Sequence, residues 1–198
     1  MRSRTIFFLI MIMLAATAFS QSPPQPYSVK ADRLGETLAE WSANNPRFDK
    51  CPDYTIDDRY GSVSPKLVHC LTRSWEDGQD FTYATSPVLL ETAWFYRDNL
   101  YKVEITLLSQ AGLPDVISRL KRKFGKPVGR ETTRMQNGFG VRSERKELTW
   151  TNTASTLLLS YSTAYDERPR LTFTFNTPNK DLTHRAEQAE RASAHSDM

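Results

Sequence analysis

The sequence predicts an α+β fold, with helices packed on one face of a meandering antiparallel sheet. Three observations predict it. Two short segments, near 34–43 and 114–124, carry apolar residues at helical spacing. Each is followed by runs in which apolar and polar residues alternate, the signature of half-buried strands. The polar alternates leave one face of the sheet wet, as antiparallel sheets permit. Helix then strands occurs twice, over 34–108 and 109–178. The halves share little sequence, so internal duplication is one reading of that order and simple recurrence is the other.

The first helix spans Leu34–Ala43. Leu34, Leu38 and Trp41 share a face, and Asn44-Asn45-Pro46 stops it. A polar connection through Cys51 and Asp57-Asp58 leads to a strand at Lys66–Arg73. Ser74–Gln79 reads as a turn and Phe81–Thr85 as a short strand. Leu89–Arg97 and Leu100–Leu108 form the clearest hairpin, with Asp98-Asn99 suited to the positive φ angles of a two-residue turn. The second helix spans Pro114–Phe124. Val116, Ile117, Leu120 and Phe124 form its buried stripe. Pro114 suits its first position, and Gly125 and Pro127 end it. Strands follow at Lys146–Thr151, Thr156–Ser162 and Leu171–Asn176, with Arg130–Met135 a further short one.

The ends read differently. Met1-Arg2-Ser3-Arg4, the apolar run Ile6–Ala16 and the small residues to Ser20 have the order of a cleavable secretory signal peptide. The run is too short for a span, which needs about 20 apolar residues. Cleavage after Ala18 or Ser20 fits equally, and no lipid-accepting Cys stands near either. Residues 21–33 read as a Pro-rich linker and 179–198 as a flexible polar tail. The expected destination is the periplasm or the exterior. Arg2 and Arg4 leave with the signal, so 26 basic against 23 acidic residues becomes 24 against 23. Charge then gives no reason to expect nucleic acid as a partner.

Cys51 and Cys70 are the only cysteines. In an oxidising compartment the pair reads as a disulfide. A redox site would favour C-x-x-C, and a metal would need further ligands.

The basic run Arg119, Lys121, Arg122, Lys123 and Lys126 is the densest charge cluster. It reads either as an anion or partner contact, or as a solvated helix face whose cations complement the helix dipole. Trp75, in a polar turn, is a candidate exposed aromatic contact. Loop carboxylates Asp53, Asp57, Asp58, Glu76, Asp77 and Asp80 lack EF-hand spacing and suit turn capping. The three histidines are His69, His184 and His195. No G-x-S-x-G, H-E-x-x-H or glycine-rich phosphate loop occurs. No catalytic residue, cofactor or metal is therefore assigned.

Several stretches together resemble small exported bacterial proteins without an assigned activity. They are Leu34-Gly35 before a helix ending at Pro46, the Cys51/Cys70 pair, and the run Phe95-Tyr96-Arg97-Asp98-Asn99-Leu100-Tyr101-Lys102-Val103. Leu120 with Phe124-Gly125-Lys126-Pro127, then Leu148-Thr149-Trp150 and Thr156-Leu157-Leu158-Leu159-Ser160, complete the pattern. The element order is also similar to periplasmic modules of the β-lactamase-inhibitor-protein and outer-membrane-assembly lipoprotein type. Those modules bind other proteins through a sheet face or loops. The resemblance carries over no functional residue. The expected function is an exported, non-catalytic binding protein for another protein or an envelope component. A secreted hydrolase acting on cell-wall or extracellular material and a carrier of a small apolar ligand are the alternatives.

Overall fold

The computed structural model describes residues 25–30, 32–46, 48, 51, 53–54, 67–73, 82–136, 138–163 and 167–196. The signal segment 1–20, Trp75, and Asp57, Asp58, Glu76, Asp77 and Asp80 lie outside them. The elements run β1 (Ser28–Val29), β2 (Asp32–Arg33), α1 (Leu38–Asn44), β3 (Asp53–Tyr54), β4 (Leu67–Arg73), β5 (Thr82–Tyr83), β6 (Ser86–Tyr96) and β7 (Asn99–Leu107). They continue as α2 (Leu113–Phe124), β8 (Gly129–Gln136), β9 (Arg142–Thr151), β10 (Ser155–Ser162), β11 (Arg170–Phe175) and α3 (Asn176–Ser196). The fold is α+β.

The main sheet has the order β3-β4-β6-β7-β11-β10-β9-β8, with β5 paired to β6 and every pairing antiparallel. Each half meanders from a sheet edge towards the centre, and the halves join where β7 meets β11. Ile105 faces Leu171 and Val103 faces Phe173 across that seam. Their side chains fall on the core face, with Leu157, Leu159 and Trp150.

The helices α1 and α2 cover this face. Trp41 of α1 packs its ring 5.3 Å from Phe95 and 4.6 Å from Phe48. α1 begins four residues later than expected, because Thr37 is the N-cap. Its hydroxyl accepts from the Glu40 amide at 3.2 Å, while the Glu40 carboxylate accepts from the Thr37 amide at 2.9 Å. This reciprocal capping box satisfies two orphan donors. α2 buries Leu113, Val116 and Leu120 and ends at Gly125, whose φ of +82° suits a residue without a Cβ. The carbonyl of Gly125 accepts from Trp150 Nε1 at 2.8 Å, which fixes the end of the helix over β9.

The β6–β7 hairpin forms as expected, with its turn one residue earlier. Arg97 and Asp98 take φ of +50° and +65°, and Asn99 already belongs to β7. The pairing shifts between Trp94 and Phe95, where Tyr101 is the extra residue of a bulge, and again between Val88 and Leu90.

Both ends depart from expectation. The stretch assigned to a linker is docked from Gln25 onward and forms the β1–β2 hairpin. The Tyr27 amide donates to Ser155 Oγ at 2.8 Å, and Asn152 Nδ2 donates to the Gln25 carbonyl at 3.2 Å. Tyr27 stacks 4.6 Å from Phe124. Lys30, in the hairpin turn, places its ammonium 3.7 Å from the carboxylate of Glu91, which is fully buried on the core face of β6. A buried carboxylate demands such a partner. The stretch assigned to a flexible tail is the helix α3. Its Leu182 is buried against Tyr96 and Tyr101, on the sheet face opposite α1 and α2. Among the described residues no helix is long and apolar enough to cross a membrane.

Candidate functional site

Cys51 and Cys70 form a disulfide with their Cα atoms 4.3 Å apart. Cys70 is fully buried on β4, so the bond ties the chain after α1 to the sheet interior. With the bond formed, neither sulfur is a thiolate that could ligate a metal.

Among the described residues three surfaces carry polar side chains in a concave arrangement, one of them a shallow hollow of about 590 Å³ at the β8–β9 edge lined by Arg134, Gln136, Arg142 and Glu144; the other two bear on function. The first is the open face of the sheet. The registers place residues in rows across five strands. One row is Leu90, Thr106, Arg170, Ser160 and Glu147. The next is Thr92, Glu104, Thr172, Leu158 and Thr149. A groove of about 520 Å³ lies along these rows, bounded by Arg145, Glu167 and Arg168.

Two of the groove's carboxylates have cationic partners. Arg145 donates to Glu167 Oε1 through Nε at 2.8 Å and Nη2 at 2.5 Å. Glu104 accepts from Trp94 Nε1 at 3.2 Å and lies 3.7 Å from the ammonium of Lys102. That ammonium sits 4.5 Å from the centre of the Trp94 ring. Burial pushes the Lys102 amine below its ordinary range, and Glu104 opposes the shift. α3 closes the end of the face beyond Trp94. There the Tyr96 hydroxyl donates to Asp181, which also lies 3.8 Å from Arg97 and 3.3 Å from Arg185.

The second surface involves the basic run of α2. Arg119, Arg122 and Lys123 line a recess of about 430 Å³ whose other walls are Leu120, Tyr83 and Ala84. Lys121 and Lys126 are exposed but do not line it. Arg122 Nη1 donates to the Ser118 hydroxyl at 2.9 Å, and Lys123 Nζ to the Ser28 carbonyl at 3.1 Å. The structure therefore divides the basic run into three cations that converge and two that do not. The sequence reasoning missed Tyr83 and Ala84, because β5 is distant in the chain and only the fold brings it beside α2. The groove residues Glu104, Arg145 and Glu167 were missed as well. Alternation in β7 marked Glu104 as solvent-facing, but Arg145 fell just before the strand expected at Lys146 and Glu167 lies in the β10–β11 connection, and the pairings that bring them together are not visible in one strand.

The groups of histidine, cysteine and carboxylate residues needed to hold a metal are absent among the described residues. Comparison with known protein families, curated proteins and solved structures finds no match.

Proposed function

We propose that the mature chain is an exported, non-catalytic binding protein that holds another protein, or a component of the cell envelope, on the open face of its sheet. The observation that carries this reading is the groove across β7, β11, β10 and β9, lined by threonine, serine and charges of both signs around Leu158. Such a mixed surface matches the polar, hydrogen-bonding character of protein interfaces outside their apolar centre. Of the three carboxylates that line the groove, two are committed to neighbours, Glu104 to Trp94 and Lys102, and Glu167 to Arg145, which leaves Glu147 alone. A glycosidase pair instead needs two carboxyl groups facing one scissile bond. The motifs shared with small exported bacterial proteins of unassigned activity support the same reading, and the Cys51–Cys70 disulfide suits an oxidising compartment.

Affinity capture from envelope extracts tests it, with the wild-type chain and Leu158→Arg as paired baits. A partner retained by the first and lost by the second is expected. Turnover of a glycan or peptide library without a retained partner overturns the reading in favour of a hydrolase. Recovery of a bound apolar molecule, with the same proteins retained by both baits, overturns it in favour of a carrier.

A further inference from the structure

The recess between α2 and the β5–β6 turn lies across the sheet from the open face, so its occupant is separate from the partner proposed above. Arg119, Arg122 and Lys123 stand at i, i+3 and i+4 on α2, which puts them on one side of the helix. Among the described residues none of the three forms an ion pair with a carboxylate. The hydrogen bonds that Arg122 and Lys123 make go to neutral oxygens. Three like charges this close repel, and the C-terminal end of the helix dipole offsets only part of that.

The opposite wall adds a hydrogen-bond donor, held in place by the two-residue β5–β6 hairpin turn. Tyr83 is only 9% exposed, yet its hydroxyl has no hydrogen-bond partner among the described residues. The oxygen itself is not among the buried unpartnered atoms, so it stays open to solvent and has a proton to donate. The turn that holds Tyr83 there is made by Ala84 and Thr85 at φ of +50° and +72°. Side chains with a Cβ rarely adopt that conformation, and a β-branched one least of all.

We propose that this recess binds a phosphate-bearing ligand. Arg119 and Arg122 meet the anion with their planar donor forks, Lys123 adds a point charge, and the Tyr83 hydroxyl donates a neutral hydrogen bond. Burial pushes the Tyr83 phenol up to about 12, so it keeps its proton across the working range of pH. Three cations match a dianionic phosphate better than a single carboxylate. The recess, at about 430 Å³, holds more than the anion, and Leu120 and Ala84 offer an apolar wall to whatever the phosphate is attached to. A soluble phosphate ester and a phospholipid headgroup share this chemistry.

The test is a titration of the disulfide-intact mature chain, followed by amide NMR at constant ionic strength. The probes are inorganic phosphate, glycerol 3-phosphate, and vesicles of phosphatidylglycerol against vesicles of phosphatidylcholine. Saturable shifts confined to Ala84, Arg119, Arg122 and Lys123 are expected. Response to the soluble probes assigns a phosphate ester, and response to phosphatidylglycerol vesicles alone assigns a headgroup. Arg119→Gln with Arg122→Gln should weaken binding by about tenfold or more, and Tyr83→Phe by about threefold, while Lys121→Gln with Lys126→Gln leaves it within about twofold. An equal loss from the Lys121/Lys126 pair overturns the proposal, because it means diffuse helix charge and no built site. No saturable response of the wild-type chain to any of the probes overturns it without reference to the variants.

Discussion

The hydroxyl of Tyr96 donates to the carboxylate of Asp181, and this contact ties α3 to the end of the β6–β7 hairpin. Leu182, the next residue, is buried against Tyr96 and Tyr101. The Tyr96 hydroxyl holds the Asp181 carboxyl below its ordinary range, with Arg185 and Arg97 adding to the effect. Burial, and then the hydrogen bond to Asp181 and its negative charge, push the Tyr96 phenol up. Docking of α3 therefore has a pH window. A carboxyl depressed in the folded state contributes stability above its unfolded value, about 3.9, and loses it as pH falls through the folded value. A phenol raised in the folded state contributes below its unfolded value, about 10, and loses it as pH rises through the folded value. Hydrogen exchange of the α3 amides should accordingly be slowest from pH 5 to 9 and accelerate on either side, beyond the intrinsic rate change. Asp181→Asn should remove the acid limb; an unchanged acid limb in that variant would refute the assignment.

The Cys51–Cys70 bond closes a loop across a sequence separation of 19 residues. Constraining the unfolded chain over such a loop is worth about 3 kcal/mol in the loop-entropy model. Cys70 is fully buried, so its replacement must also fit the core. The double variant Cys51→Ala and Cys70→Ala should lose about 3 kcal/mol in urea denaturation at unchanged pH. Reduction of the wild-type chain under the same conditions should give a comparable loss. A loss below about 1 kcal/mol in both would mean that the loop is already held by other contacts in the unfolded ensemble.

The elements that were legible in the sequence are those whose stabilisation is local or periodic. The stripe Val116, Leu120 and Phe124 announces α2, and the alternation of Val103 and Ile105 with Lys102 and Glu104 announces β7. Docking of the N-terminal stretch was not legible, because it rests on main-chain groups of Gln25, Tyr27 and Ser28, on the isolated apolar contacts of Tyr27 and Val29, and on the ion pair of Lys30 with the buried Glu91. None of these has a periodicity. α3 was misread for a related reason: a single Leu182, with Tyr96 and Tyr101 from another part of the chain, does the work of an apolar stripe. Of the basic run, its helical placement was legible. Which of its cations converge was not, since Tyr83 and Ala84 reach α2 only through the β5–β6 pairing.

Gly112 sits where the start of α2 crosses the start of β6. A Cβ at this position would lie 2.0 Å from Ser86 Oγ and 3.1 Å from Ser86 Cβ. Ser86 is itself buried at 2% exposure, so neither side has room to retreat. Gly112→Ala should destabilise the chain by about 1–3 kcal/mol, the usual range for overpacking a filled interior. Replacing Ser86 by Ala removes the closer contact and leaves the one at 3.1 Å. Gly112→Ala combined with Ser86→Ala should recover part of the loss, which a double-mutant cycle on thermal or urea melts would read as a favourable coupling. Additive losses would show that the backbone moves apart instead.

Trp41 and Trp150 offer a comparison between two indoles buried to the same degree. Trp150 donates its Nε1 proton to the Gly125 carbonyl at 2.8 Å, whereas Trp41 Nε1 has no hydrogen-bond partner among the described residues. Substitution by Phe removes a similar volume at each site, so the cavity costs are comparable. The polar costs differ in sign. At position 150 the change breaks a hydrogen bond and leaves the Gly125 carbonyl, at the end of α2, without its donor. At position 41 it removes a buried donor whose desolvation was not repaid. Trp150→Phe should therefore be more destabilising than Trp41→Phe by about 1–3 kcal/mol, measured by urea denaturation with the slope held common. Exchange of the Gly125 and Lys126 amides should rise in Trp150→Phe alone, since only that variant releases the end of the helix. Equal losses from the two substitutions would mean that packing, and not the indole proton, sets the cost at both sites.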